Sequence, residues 1–317
     1  MKKNNILIFI GFAAFLILAP VISPDQYITS VFVSFCIKII LLTGLNVILG
    51  FAGQMSMAHA GFYGLGAYTA GILAVKLSLP PLLALIAAPV AVALVAFVLG
   101  LPSLRLHGNY FGMATLGAGM VLYLVFGAAR NITGGPNGLM GIPAFSLAGH
   151  PFSLKEIYLV IACFALLGLL CINNLSRSHM GFALRALSVS EDGAASVGID
   201  AFRLKLSAFV VSGVFAGFAG GFQTFQSRFI TPETFAFFPT VLMIIAIVLG
   251  GGGTQWGPVI GALLLTVADE LLAVYPDLKP LILGSVFILI VLRFPGGIIG
   301  TLGTYMAQRQ EKEDPAS

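Results

Sequence analysis

Apolar residues fall into ten stretches divided by short polar or glycine-rich breaks, at residues 6–22, 30–49, 60–77, 82–101, 110–128, 157–174, 205–225, 238–249, 258–274 and 279–293. A helix that crosses a bilayer needs about 20 predominantly apolar residues. The pattern therefore predicts an all-α polytopic membrane protein of about ten transmembrane helices. Three stretches depart from the ideal: the third is rich in glycine, the eighth is short, and the ninth ends in Asp269 and Glu270. Glycine and proline are tolerated in lipid where neighbouring helices or cavity water satisfy the backbone groups they free. Residues 1–307 read as one membrane domain, and the charged tail 308–317, ending Pro-Ala-Ser, has the composition of disordered chain. The longest segments outside the spans are about 130–155 and 176–204.

Composition sharpens this reading. Hydrophobic residues make up 58% of the chain and charged residues 9%, against about 25% charged in an ordinary soluble domain. Basic residues in short loops mark the cytoplasmic side. With the N-terminus inside, ten crossings place Lys2, Lys3, Arg105, Arg177, Arg185, Arg203, Lys205, Arg293, Arg309 and Lys312 on that side. Outside loops balance Arg130, Lys155, Arg228 and Lys279 against Asp25, Glu156, Glu233 and Asp277. Both termini are thus expected in the cytoplasm. This arrangement accounts for a pI near 9.0 without a nucleic-acid partner. The run from Ile6 to Ile22 is longer than a signal-peptide core and lacks a small-x-small cleavage site, so it reads as a retained anchor. Cys36, Cys163 and Cys171 lie inside predicted spans and are expected to be buried apolar fillers.

Enzymatic motifs are absent from the sequence. It contains no HExxH and no GxSxG, and His59, His107, His150 and His179 have no second ligand at metal spacing. The glycine-rich stretch Thr133–Gly141 lacks a following Lys-Ser or Lys-Thr, and no GxxxxGK[ST] occurs anywhere. ATP hydrolysis, if the protein depends on it, belongs to a partner, and no cofactor is called for.

The few polar residues near spans are therefore the candidates. Gln54, Ser56 and His59 sit in an irregular glycine and alanine-rich break, where they either line a wet passage or satisfy one another in a packing turn. Gly250, Gly251, Gly252 and Gly253 form a second break on the same side, either a hinge for a gate or a tight turn. Ionisable residues inside spans are functional candidates. Lys38, mid-way along the second stretch, either faces the route or snorkels, whereas Asp269 and Glu270 read as an interfacial boundary. Residues 176–204 are amphipathic and too polar to span. Arg185, Glu191 and Asp192 supply directional contacts there, and Ala194, Ala195 and Gly198 permit close approach. The segment either docks on another protein or lies flat on the inner leaflet.

Several motifs carry a resemblance. Glu191, Ala194 and Gly198, preceded by Arg185, resemble the acidic-Ala-Ala...Gly coupling segment of ABC importer permeases, with Gly193 where the first Ala is usual. GFAGQMSMAHAGFYGLGAY from Gly50, TGGPNGLMGIP from Thr133, ITPETF from Ile230 and GGGGTQWGPVIGA from Gly250 are similar to the permeases of branched-chain amino acid ABC transporters. The resemblance covers about residues 36–300. Departures are the apolar Val241, Leu242 and Met243, where the family often has an acidic residue, and Pro295-Gly296-Gly297 in place of Pro-Arg-Gly.

The resemblance implies a ten-helix fold like the permeases of ribose and vitamin B12 importers, in a bacterial inner membrane. It also implies two ATPase subunits, a homologous permease partner forming a heterodimer, and an extracytoplasmic substrate-binding protein. Leucine, isoleucine and valine are the implied substrates. Importers of urea or short amides share much of the pattern, and an ion-coupled carrier is a more distant alternative.

Overall fold

The computed structural model describes residues 3–22, 25–147, 150–273, 278, 281–282 and 284–285. Helix α1 (Lys3–Ile22) is followed by α2 (Gln26–Leu45), which runs straight into a π-helical turn (Asn46–Phe51). Next come α3 (His59–Lys76), α4 (Pro81–Ser103), α5 (Asn109–Ala128) and the short α6 (Arg130–Thr133). A two-stranded antiparallel hairpin, β1 (Ser146–Leu147) with β2 (His150–Pro151), precedes α7 (Leu154–Leu175). Then follow α8 (His179–Val189), α9 (Glu191–Ser196), α10 (Ala201–Ser227), α11 (Phe237–Gly250) and α12 (Gly257–Leu271).

Each of the first nine apolar stretches falls on a helix. The tenth lies almost entirely outside the described residues, as does the tail 308–317. Among the described residues, five helical segments are long and apolar enough to cross a membrane: Gln26–Phe51, Pro81–Ser103, Asn109–Ala128, Leu154–Leu175 and Ala201–Ser227. Boundaries follow local chemistry. Asp25 caps α2 through the Tyr27 amide at 2.9 Å. Ser153 and Glu156 form a capping box on α7, and Asp200 caps α10 through Arg203 N at 3.1 Å. Pro81 opens α4, where its missing N–H costs nothing.

Helix α2 is the hub. The Gln26–Phe51 segment has 78% of its most apolar window buried within the protein, against 22% for Asn109–Ala128. Met113, Val121 and Leu124 on α5 are accordingly exposed; in a bilayer that outward face meets acyl chains as apolar as itself. The same reasoning corrects the cysteine expectation: Cys36 is buried, but Cys163 and Cys171 are exposed on α7.

Close packing of α3, α4 and α10 depends on small residues, since association within lipid gains mainly from van der Waals contact. A Cβ added at Gly66 would stand 2.6 Å from Gly217 Cα, and one at Gly217 2.6 Å from Pro89 Cα. At Gly220 an added Cβ would overlap the Tyr63 carbonyl. The opening left by these glycines lets Thr224 donate from α10 to Ala67 O on α3 at 2.9 Å.

The segments between helices gather at two opposite ends. At one, Leu139 and Ile230 exchange backbone bonds of 2.9 and 3.2 Å, joining the Thr133–Pro143 loop to the 3-10 turn Pro232–Phe235. Lys76 reaches Asn131 O and Tyr27 reaches Glu270 at that end. The other end collects both glycine breaks and the 176–204 segment. Replacing Gly220 with alanine forces backbone to move and should lower the thermal midpoint in detergent, at a cost of about 1–3 kcal/mol. Gly117→Ala, where an added Cβ meets nothing within 4 Å, should leave the midpoint unchanged.

Candidate functional site

The two glycine breaks, 200 residues apart in sequence, are in contact through one buried side chain. Asn46, fully buried in the π-helical turn, accepts from Gly253 N through Oδ1 at 2.8 Å and donates from Nδ2 to Thr254 O at 2.9 Å. A Cβ at Gly50 would overlap both Asn46 Oδ1 and Gly253 N, so glycine is required for this approach. Gly251 and Gly253 have φ of 99° and 75°, the left-handed region that glycine enters without penalty. Thr254 Oγ1 closes the turn by donating to Gly251 O at 2.7 Å and accepting from Gly257 N at 3.0 Å. Gly250 thus ends α11, and Gly251 to Gly253 turn the chain towards α12 with Gly251 and Gly253 held by these bonds.

Helix α8 is fastened to this junction. Arg185 Nη2 donates to Gly253 O at 3.2 Å, and its guanidinium carbon lies 5.1 Å from the centroid of the Phe51 ring, a cation–π contact. A Cβ added at Gly53 would stand 2.8 Å from Ser188 Cβ. Leu184 and Leu187 are buried beneath. Helix α9 is held separately: the Glu191 carboxylate pairs with the Lys205 ammonium from α10, and Lys205 itself is only 2% exposed. Removing one partner of such a pair strands a buried charge. Gly198 turns the chain with φ of 83°, and Ile199 N returns to Ala194 O at 3.1 Å.

Beyond Phe51 the chain re-enters the bundle as non-helical backbone. The Met55 carbonyl lies 3.4 Å from a Cβ built at Gly112, and that of Met57 3.2 Å from one built at Gly119. The segment therefore runs along about two turns of α5. Backbone groups at such depth need partners from protein. Thr115 Oγ1 on α5 accepts from Met57 N at 3.0 Å, and Thr240 Oγ1 on α11 accepts from Ala60 N at 3.2 Å. His59 opens α3 with Nε2 2.9 Å from Leu41 O and Nδ1 3.4 Å from Ser212 Oγ.

A cavity of about 300 Å³ opens between α2, α3, α11 and α12, with Lys38, Tyr63, Leu242, Met243, Leu265 and Asp269 among its walls. Lys38 Nζ lies 2.6 Å from Asp269 Oδ2 and donates to Thr266 Oγ1 at 3.2 Å. Tyr63 donates its hydroxyl to Gln223 Oε1 at 3.0 Å. Among the described residues, no group of three His, Cys, Asp or Glu side chains is placed to hold a metal ion.

Residues 27–291 match the family described as the branched-chain amino acid transport system / permease component. The high-affinity branched-chain amino acid transport system permease protein LivM of Escherichia coli (strain K12) is 35% identical over 287 residues, spanning 83% of this chain and 68% of that protein. The Salmonella typhimurium protein of the same description is 34% identical over the same shares. A probable branched-chain amino acid transport permease protein LivM of Methanocaldococcus jannaschii is 24% identical over 200 residues, 60% of this chain and 57% of its own. The chain belongs to this permease family.

In this permease the residues singled out in the sequence fall into distinct environments. Ser56 and His59 are each 1% exposed, and the His59 ring lies between Leu41 O and Ser212 Oγ. Gln54 is half-buried, with its backbone N–H donating to Ile48 O at 3.0 Å. Lys38 faces a cavity, and Asp269, read as an interfacial boundary, proves to be its partner. Gly250 ends α11, and Gly251 to Gly253 make the turn that leads to α12. In the 176–204 segment, Ala194 is buried in the chain's own packing and Glu191 is engaged by Lys205, while Asp192 and Gly198 are exposed. Asn46, Thr115 and Thr240 were not singled out in the sequence, and Lys205 was read only as a basic residue of the cytoplasmic side. Asn46, Thr115 and Thr240 are each a polar residue in an apolar run, the signal that such a group has a partner within the bundle.

Asn46→Leu removes both amide bonds and leaves Gly253 N and Thr254 O without them. The cost should be about 1–3 kcal/mol for each buried group stranded. Hydrogen exchange in detergent should show faster exchange at the 250–256 amides in this variant, and unchanged protection would contradict the assigned role.

Proposed function

We propose that this permease forms part of the translocation route of an ATP-driven importer of leucine, isoleucine and valine. The family match and the identity to the two enterobacterial permeases support the substrate class. In this reading the chain has ten transmembrane helices arranged as in the ribose and vitamin B12 permeases, lies in the bacterial inner membrane, and keeps both termini in the cytoplasm. Two ATPase subunits supply the hydrolysis for which this chain has no Walker A loop. A homologous permease completes a heterodimeric passage. A binding protein delivers substrate at the outer end, where the Thr133–Pro143 loop is clamped to the Pro232–Phe235 turn.

Residues 176–204 are the coupling element, and the observation that carries this assignment is the anchoring of α8 to both glycine breaks through Arg185 and Ser188. Force applied to α8 enters the bundle at the ends of α2, α11 and α12 together. The outer face of the element is well suited to docking: Val189 is 87% and Val197 74% exposed, beside the exposed Asp192 and Gly198. Glu191 and Ala194 shape that face from behind by fixing α9 on α10. Alternating access then proceeds by rocking one bundle against another. Lys38 and Gln54 belong to the route, while Ser56, His59 and the glycines of 250–253 keep its frame.

Two substitutions test the coupling assignment in the complete transporter reconstituted in proteoliposomes. Val197→Asp places a charge on an exposed docking face and should reduce ATP-dependent leucine uptake roughly tenfold, the effect of about 1.4 kcal/mol, while the subunit inserts normally. Gly198→Trp should abolish coupled uptake, because it adds bulk at the face and strains a left-handed residue. Undiminished uptake in both variants, or uptake driven by an ion gradient in vesicles without ATPases, would contradict the reading.

A further inference from the structure

Helix α3 carries Gly64, Tyr68 and Gly71 on one face, at helical spacings of four and three. Both glycines are seats for apolar side chains that arrive from the loops at the Leu139–Ile230 end of the bundle. An added Cβ at Gly64 would stand 2.7 Å from Phe235 Cγ, and one at Gly71 would stand 2.9 Å from Leu139 Cδ2 and 3.4 Å from Ile230 Cδ1. Phe235, Leu139 and Ile230 are all buried. Tyr63 and Tyr68 enclose Phe235 edge to face, with ring centroids 5.1 and 6.0 Å from its own. Residues 230–235 thus lie over α3 as a strap between α10 and α11, pinned at both ends. Between the pins the hydroxyls of Thr231 and Thr234 pair with each other at 3.2 Å, and Glu233 and Thr234 are exposed.

The geometry points to this strap as the gate over the outer end of the bundle, worked by the Thr133–Pro143 loop. Its fastenings are reversible: apolar knobs in glycine notches, and the two backbone bonds between Leu139 and Ile230. Tyr68 lies beneath it, buried, and its hydroxyl has no hydrogen-bond partner among the described residues. An unpaired buried hydroxyl disfavours the closed packing and regains water when the strap lifts, so the closed state carries a built-in bias against itself. The strap also divides two voids. Thr234 belongs to the wall of the cavity beside Tyr63, whereas Phe235 walls a separate crevice with Met57, Gly61 and Met120. Loop and strap meet at backbone distance, since a Cβ added at Gly138 would stand 2.2 Å from Ile230 O. Displacing the loop therefore draws Ile230 off Gly71. Phe235 then leaves the Gly64 notch, which joins the cavity to the crevice and wets Tyr68. Met140, 62% exposed on the loop, is the apolar handle on which a delivering protein acts.

The gate rests on the importer reading, and its test separates the two. Leu139 and Ile230 exchange both backbone bonds, a pairing that sets Cα atoms about 5.5 Å apart, within the usual reach of a disulfide. Leu139→Cys with Ile230→Cys is made in a chain whose exposed Cys163 and Cys171 are replaced by alanine. ATP-dependent leucine uptake is then measured in proteoliposomes holding the complete transporter, oxidised and after reduction with dithiothreitol. We expect uptake to fall in proportion to the cross-linked fraction and to return on reduction, with each single-cysteine variant indifferent to oxidant. A bridge that only braces the fold would be strengthened by the disulfide, so unchanged uptake in the cross-linked transporter overturns the gate while the importer reading stands. A second measurement needs no disulfide. The single variant Ile230→Cys, or Leu139→Cys as the same probe from the loop side, meets a membrane-impermeant maleimide on both faces of the bilayer, at rest and during turnover. Slow labelling at rest and faster labelling in turnover are expected; equal rates in an actively transporting sample also overturn the gate. Absence of leucine, isoleucine and valine uptake by the wild-type transporter removes both readings.

Discussion

The carboxamide of Asn46 holds together the end of the bundle on which the remaining organisation depends. A glycine turn between two apolar helices leaves backbone donors and acceptors without helical partners, and those drawn in against the bundle must find others. Asn46 answers with both arms, accepting from Gly253 and donating to Thr254. Its position in a π-helical turn, directly beneath Gly50, brings α2 against the α11–α12 turn at backbone distance. Arg185 then uses a carbonyl of the same turn, so three parts of the chain remote in sequence share one small polar cluster.

Charge is placed just as sparingly elsewhere. The Glu191–Lys205 pair fixes α9 against α10, and the Lys38–Asp269 pair joins α2 to α12. Buried ion pairs contribute little net stability, because desolvation offsets their attraction. Losing one partner is costly, however, so they act as positional constraints. In this permease each ties together two helices that are remote in sequence or follow a turn. The small-residue packing of α3, α4 and α10 forms the closest-packed part of the bundle.

Much of this was legible in the sequence. Apolar stretches located the helices because lipid imposes a length and a composition, and the motifs that differ from a plain apolar helix turned out to meet in pairs, one pair at each end. Partnership was harder to read. Nothing local to Lys38 points to Asp269, and nothing local to His59 points to Leu41 and Ser212. Asn46, Thr115 and Thr240 were missed because a single polar residue in a hydrophobic run carries no periodicity. Cys163 and Cys171 misled for a related reason: on a helix facing lipid, an apolar residue is under no pressure to turn inward.

The central claim is mechanical: helix α8 and the glycine turn move as one piece when the transporter works. Spin labels on Val189 and Gly252, both exposed, report this directly by pulsed distance measurement in the complete transporter, at rest and trapped with nucleotide. The account predicts a distance distribution that keeps its centre and width in both states. A distribution that shifts or splits on nucleotide binding would show α8 sliding over the turn, and would contradict the transmission of force through Arg185 and Asn46.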